Sequence, residues 1–238
     1  MFVFLSSVVG LVLGSFVSAL TYRLPKGISN NRGRSFCDSC KKPLSWKVNI
    51  PVFSYIYMKG RSICCSKKIS LRYPLIELMS MVGAVYFFSA FPISSAFVYY
   101  FLFLISLTIF VIDLEHQIIP DELSWSFLVL VLILFIIFNF YSNLNIYANL
   151  FAGFLYAFFL LFIHLVTKGR GMGLGDVKLA LGMGTLLGLY KGMIWIFASF
   201  LTGGVVASIL LLTGRAKLKQ KIAFGPFLII GFWIALLL

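Results

Sequence analysis

Polar positions are rare along this chain, and their spacing marks out its elements. Predominantly apolar runs cover residues 2–22, 74–91, 96–112, 123–141, 146–167, 177–190, 192–213 and 223–238. Apolar runs of roughly 17–25 residues are long enough to cross a bilayer as helices. In lipid, a single segment can satisfy its own backbone hydrogen bonds only as a helix. The pattern therefore predicts an all-α, polytopic membrane bundle of about eight transmembrane helices. The sixth and eighth runs are the shortest, and the sixth begins at a glycine-rich turn. The longest polar interruption predicts a loop subdomain after the first helix. The expected division is a first transmembrane helix at 1–22, a basic loop at 23–73 and a transmembrane core at 74–238. The chain is apolar from Met1 with no basic stretch ahead of it, so the first run reads as a retained span and not as a cleaved signal.

Charge sets the expected orientation. The net charge is +13, and residues 23–73 hold twelve of the 20 Lys and Arg residues. Such a block between apolar runs reads as a cytoplasmic loop beside anionic lipid, and not as a nucleic-acid surface. With eight spans, loops 113–122, 168–176 and 214–222 then also face the cytoplasm, and both termini lie outside. Mean hydropathy is +1.02, which excludes an ordinary soluble domain.

Seven residues are acidic, and two of them sit at membrane edges. Asp176 closes the turn Gly171-Met-Gly-Leu-Gly-Asp176-Val-Lys178. Asp113 follows directly on the third apolar run. A carboxylate at such a depth is a functional-site candidate, because its burial is costly. The competing reading of Asp176 is a cap for the helix that follows. Glu115, His116, Asp121 and Glu122 lie farther into the same loop and read as solvated, while His164 reads as a packed interior polar group. Pro120 starts the fourth helix, with Asp121 and Glu122 in its positive first turn. Glu77 reads as a carboxylate in the first turn of the helix opened by Pro74, there for the dipole or for packing. Glycines 171, 173 and 175 permit positive φ and close backbone approach, but they form no phosphate-binding motif.

Two carboxylates at one membrane face suit peptide hydrolysis. One takes a proton from water while the other, protonated, bonds the scissile carbonyl, and the pair titrates as one unit. Proton-coupled transport is the alternative use of intramembrane carboxylates. It predicts repeated halves and midplane sites, and neither is evident in the sequence.

The loop carries Cys37, Cys40, Cys64 and Cys65. A reducing cytoplasm argues against disulfides. Cys37-Asp-Ser-Cys40 has the spacing of a metal knuckle, and a four-thiolate zinc site would staple a loop too small for its own core. A second C-x2-C would need a cysteine at 62, where the chain has Ser62. Adjacent Cys64 and Cys65 also make joint ligation awkward. Reduced thiols without metal are the other reading.

Taken together, Asp113…Ile119-Pro120-Asp121, Gly173-Leu-Gly-Asp176-Val-Lys178 and Phe224-Gly-Pro-Phe227 resemble the type IV prepilin peptidases, the G-x-G-D intramembrane aspartic peptidases. The resemblance extends to Trp46…Asn49-Ile-Pro51, Gly60-Arg61, Ile69-Ser70 and Arg72-Tyr-Pro-Leu-Ile-Glu77. It implies catalytic aspartates at Asp113 and Asp176, supported by Gly173, Gly175, Lys178, Pro120 and Asp121. The implied enzyme sits in the inner membrane with its active site facing the cytoplasm. It would remove the basic leader from type IV prepilins or type II secretion pseudopilins. Many members also methylate the new N-terminal amine with S-adenosylmethionine, and carry two C-x2-C pairs in the loop. This chain departs from that pattern at Ser62, with Cys64 displaced.

Overall fold

The computed structural model describes residues 2–28, 35–139, 146–214 and 222–238. Its regular structure among these residues is helical, with two isolated bridges, Phe36 to Pro43 and Arg61 to Lys68. The helices are α1 (Phe2–Arg23), α2 (Phe53–Tyr57), α3 (Arg72–Ala90), α4 (Ile93–His116), α5 (Asp121–Asn139), α6 (Ile146–Val166), α7 (Leu174–Leu212) and α8 (Gly225–Leu237). Among the described residues five are long and apolar enough to cross a membrane: α1 with its short 3-10 extension to Lys26, α3, α4, α6 and α7. The α8 helix is apolar but shorter. The chain is thus a polytopic helical membrane protein.

Two of the expected spans, 177–190 and 192–213, merge in the 39-residue α7. Their break falls at Gly188 and not at Lys191. Gly188 holds φ 68° and ψ −171°, a backbone region open essentially to glycine alone. With α7 divided there, each of the eight apolar runs has its helix. The basic residues Arg32, Arg34, Arg215, Lys217, Lys219 and Lys221 lie outside the described residues.

The chain forms two compact units, Met1–Thr108 and Ile109–Leu238. In the first, α1 packs along α3 through small residues. Gly10, Gly14 and Ser18 recur at four-residue spacing on the buried face of α1. A β-carbon on Gly14 would lie 2.8 Å from Glu77 Cα, so the two backbones approach as small residues in membrane helices allow. The Ser80 hydroxyl donates to the Gly10 carbonyl (2.7 Å), and Arg72 donates to the Thr21 hydroxyl (2.6 Å). Glu77 lies in the second turn of α3, one turn later than expected. It is buried there, and it accepts a hydrogen bond from the Val52 backbone N–H at 2.7 Å.

In the second unit α7 is the axis, and α5, α6 and α8 pack on it. Trp195, fully buried on α7, donates its indole N–H to the Leu228 carbonyl of α8 (2.9 Å). Tyr156 of α6 donates to the Leu189 carbonyl beside the Gly188 break (2.6 Å). That bond gives a partner to a carbonyl next to the interrupted helix.

Candidate active site

Three helix ends in the second unit converge on two buried carboxylates. The α4 helix runs past the expected edge of the third apolar segment to His116, so Asp113 lies inside its last turns. Gln117, at φ 55°, closes the helix by donating its N–H to the Asp113 carbonyl (2.9 Å). The Asp113 carboxylate accepts the backbone N–H of Gly225, where α8 begins (2.9 Å). Asp176 stands three residues into α7 from Gly173, and its Oδ2 accepts the Gly173 N–H (2.9 Å). That bond is the reciprocal half of a capping box, so Asp176 does cap its helix. Its other oxygen, Oδ1, is buried with no hydrogen-bond partner among the described residues. A cap explains one oxygen and not the other.

Asp113 and Asp176 are 5% and 6% exposed, and Asp176 lies within reach of the Asp113 charge. Ile119 fills the space between their supports. A β-carbon added to Gly175 would lie 2.7 Å from Ile119 Cβ, and one added to Gly225 would lie 2.6 Å from Asp113 Oδ2. Both glycines serve close approach. The positive φ allowed from the sequence is absent at Gly171, Gly173 and Gly175, and the turn uses Lys168 and Gly169 for it instead. His164 donates from Nδ1 to the Met172 carbonyl (2.7 Å), and the Thr167 hydroxyl accepts the Gly171 N–H (3.1 Å). These bonds fix the turn that presents Asp176. His164 is therefore the hydrogen-bonded interior group expected.

In the first unit the loop places Cys37, Cys40, Cys64 and Cys65 with all four sulfurs within 4.8 Å of one another. The awkward adjacency of Cys64 and Cys65 does not prevent this, because two turns of matching form face each other. Cys37 N–H donates to the Lys42 carbonyl and Lys41 N–H to the Cys37 carbonyl. Ser62 and Ser66 repeat both bonds with Lys67 and Ser62. Lys41 and Ser66 have the same left-handed φ, 58° and 56°. Ser62 thus occupies the place of Cys37, and Cys65 that of Cys40. The Ser62 hydroxyl lies 3.2 Å from Cys37 Sγ and 3.1 Å from Cys64 Sγ.

Tetrahedral zinc thiolates, with bonds near 2.3 Å, stand about 3.8 Å apart. Cys37 and Cys65 are already at 3.8 Å, while Cys40 and Cys64, at 2.9 Å, have to open. The donor set fits such a metal. The Ser62 hydroxyl and backbone bonds lower the Cys37 thiol to about 6, whereas the bond to Cys64 holds Cys40 up at about 11.

Comparison with known proteins follows the same division. The model of the bacterial Peptidase A24 N-terminal domain matches residues 8–91, and that of the type IV leader peptidase family matches residues 100–208. Prepilin leader peptidase/N-methyltransferase of Neisseria gonorrhoeae is 31% identical, the match covering 97% of this chain and 88% of the relative. The chain belongs to the type IV leader peptidase family. Proteins of the same name from Vibrio cholerae (31% identical, 98% of this chain, 95% of the relative) and Pectobacterium carotovorum (30%, 94% and 88%) are similar to it over nearly their whole lengths. No solved structure gives a significant match.

Both aspartates of this family member fall within the stretch matched by the leader peptidase model, and the four cysteines within the N-terminal one. Lys178 bonds both oxygens of Asp121 (2.7 and 2.8 Å), tying the start of α7 to that of α5. Pro120 lends its carbonyl to the first N–H groups of α5. His116 and Glu115 are exposed and 3.9 Å apart. Sequence reasoning missed Gly225 and Ile119 as site residues. The only signal for them lay in the motifs that contain them.

Proposed function

We propose that this protein hydrolyses the peptide bond joining a short basic leader to type IV prepilins or type II secretion pseudopilins, with Asp113 and Asp176 as the catalytic pair. One carboxylate takes a proton from the attacking water as its oxygen bonds to the scissile carbonyl carbon. The other gives its proton to the carbonyl oxygen. Collapse then breaks the carbon–nitrogen bond, and the proton first taken from water passes to the departing amine. Pair chemistry of this kind needs two carboxylates in one dry site. The observation that carries the reading is Asp176 Oδ1, buried without a hydrogen-bond partner among the described residues and within reach of the Asp113 charge.

In this reading Gly173 and Gly175 set the backbone around Asp176, and Pro120 fixes the start of α5. The Lys178–Asp121 pair holds the entrances of α5 and α7. The site faces the cytoplasm of the inner membrane, with the basic loop against anionic lipid. Cys37, Cys40, Cys64 and Cys65 would hold a structural zinc ion that fixes the two facing turns. The relatives' names include N-methyltransferase, and we take this chain to methylate the freed amine, with S-adenosylmethionine as donor. The comparisons give no support to a transporter. Incubating the purified protein with a prepilin and weighing the product tests this reading. A mass lower by the leader is expected, with one added methyl when the donor is present. An intact prepilin would contradict it.

A further inference from the structure

Asp176 Oδ1 is matched by a second buried oxygen in the same unit. Ser124, four residues into α5, is 2% exposed, and its hydroxyl has no hydrogen-bond partner among the described residues. A buried hydroxyl left unpaired is destabilising. A serine or threonine inside a helix has a ready remedy, the carbonyl four residues earlier. Ser106, Thr108, Ser126, Thr185 and Ser199 all use it, at 2.6–2.8 Å. Ser124 does not. The Pro120 carbonyl, which it would use, takes the backbone N–H groups of Leu123 and Ser124 instead (3.2 and 3.3 Å).

The packing of α5 on α7 brings the two orphan oxygens into one interface. A β-carbon on Gly175 would lie 2.7 Å from Ile119 Cβ, and one on Gly182 would lie 2.8 Å from the Phe127 ring. The two helices therefore run side by side in the same direction between these contacts, over about two turns. On α5, Ser124 falls between Ile119 and Phe127, and it shares the buried face of Phe127 and Val131. On α7, the buried residues between Gly175 and Gly182 are Asp176, Leu179 and Ala180. Ile119 and the Lys178–Asp121 pair close the end of this interface where both helices begin. Ser124 thus lies below that closure, in the stretch of the interface that Asp176 opens.

From this, and resting on the reading that Asp113 and Asp176 are the catalytic pair, we infer that Ser124 is a positioning residue of the reaction: with Asp176 Oδ1 it holds the attacking water. A water in an apolar interface needs at least two polar partners, and a carboxylate oxygen and a hydroxyl both accept. One O–H of the water bonds to Asp176 Oδ1 and the other to Ser124 Oγ. A lone pair of its oxygen is then left to face the scissile carbonyl carbon. As the new carbon–oxygen bond forms, the proton on the first O–H passes to Asp176. Ser124 neither gains nor loses a proton. The assignment makes Asp176 the group that takes the water's proton and leaves Asp113 to serve the carbonyl oxygen.

The test is prepilin cleavage by the full-length protein in detergent, with kcat, KM and the unfolding temperature measured for wild type, Ser124→Ala and Ser124→Thr. In Ser124→Ala, kcat should fall about 10–100-fold, as for a reacting group held loosely. KM should stay within about twofold, because the lost bond is to water and not to the peptide. The unfolding temperature should stay level or rise, since the change removes an unpaired hydroxyl. Ser124→Thr keeps the hydroxyl and should regain most of the rate. A Ser124→Ala enzyme within about twofold of wild-type kcat would overturn the inference. So would a loss confined to KM, a loss that tracks a lower unfolding temperature, or a Ser124→Thr enzyme as stable as wild type yet as slow as Ser124→Ala. Asp176→Asn, assayed alongside, separates the two readings. If it cleaves, the catalytic pair fails and this inference with it; if it is inactive while Ser124→Ala is undiminished, only the role of Ser124 fails.

Discussion

Two readings of Asp176 coexist because its two oxygens differ. Oδ2 holds the start of α7 through Gly173, and Oδ1, with no hydrogen-bond partner among the described residues, is the oxygen our proposal assigns to chemistry. Asp113 and Asp176 were legible as candidates in the sequence because a carboxylate at the edge of an apolar run is costly to bury. Gly225 and Ile119 were not, because Asp113 and Gly225 are 112 residues apart and no local pattern reports that approach. Their roles give sharp tests. Gly225→Ala puts a methyl against Asp113 Oδ2 and should lower kcat about 10–100-fold, the range expected when a reacting group moves by about an ångström. Gly175→Ala should do the same by pressing on Ile119, and Ile119→Ala in the same chain should recover part of the loss, since the two sites share one contact. Equal losses in single and double variants would show that the Ile119 contact is not the cause.

Elements carry the next set of consequences. The two cysteine turns are near copies, so Ser62 stands where a second C-x2-C would place its first cysteine, and Cys64 supplies a sulfur from two residues on. The spacing made this look wrong for metal, because sequence separation does not show that facing turns can bring neighbours of the ideal position inward. Metal binding by these thiols must displace the proton that Cys40 holds up to about 11, while Cys37, near 6, is already largely ionised at neutrality. Zinc affinity should therefore rise with pH between about 6 and 8, as proton release requires. Competition against a chromophoric chelator measures it, and a flat profile would mean that Cys40 is no ligand. In α7 the break was expected at Lys191, since charge is what a hydropathy pattern registers. It falls at Gly188 because the turn needs a backbone only glycine adopts. Gly188→Ala should destabilise the second unit by about 1–3 kcal/mol, read from unfolding in detergent.

At the scale of the molecule, the run lengths of apolar residues foretold a helical membrane bundle, and the helices of the structure agree. Boundaries were less legible. The α4 helix overran its hydrophobic segment to His116, and Glu77 fell in the second turn of α3, because helices end where caps and packing end them and not where polarity begins. Orientation rests on the basic block at 23–73: reporter fusions within 35–65 should report the cytoplasm, and fusions after Leu238 the opposite side. An external signal from 35–65 would reverse the orientation. The central claim is that one pair of carboxylates cuts the leader. Its most direct test is the cleavage rate of Asp113→Asn, Asp176→Asn and the double variant, with prepilin binding measured alongside. An amide can neither take the proton from water nor return one to the amine. Each single change should abolish cleavage while binding persists, and the double variant should be no worse than either, because the two act as a unit. Substantial cleavage by either single variant would contradict the account.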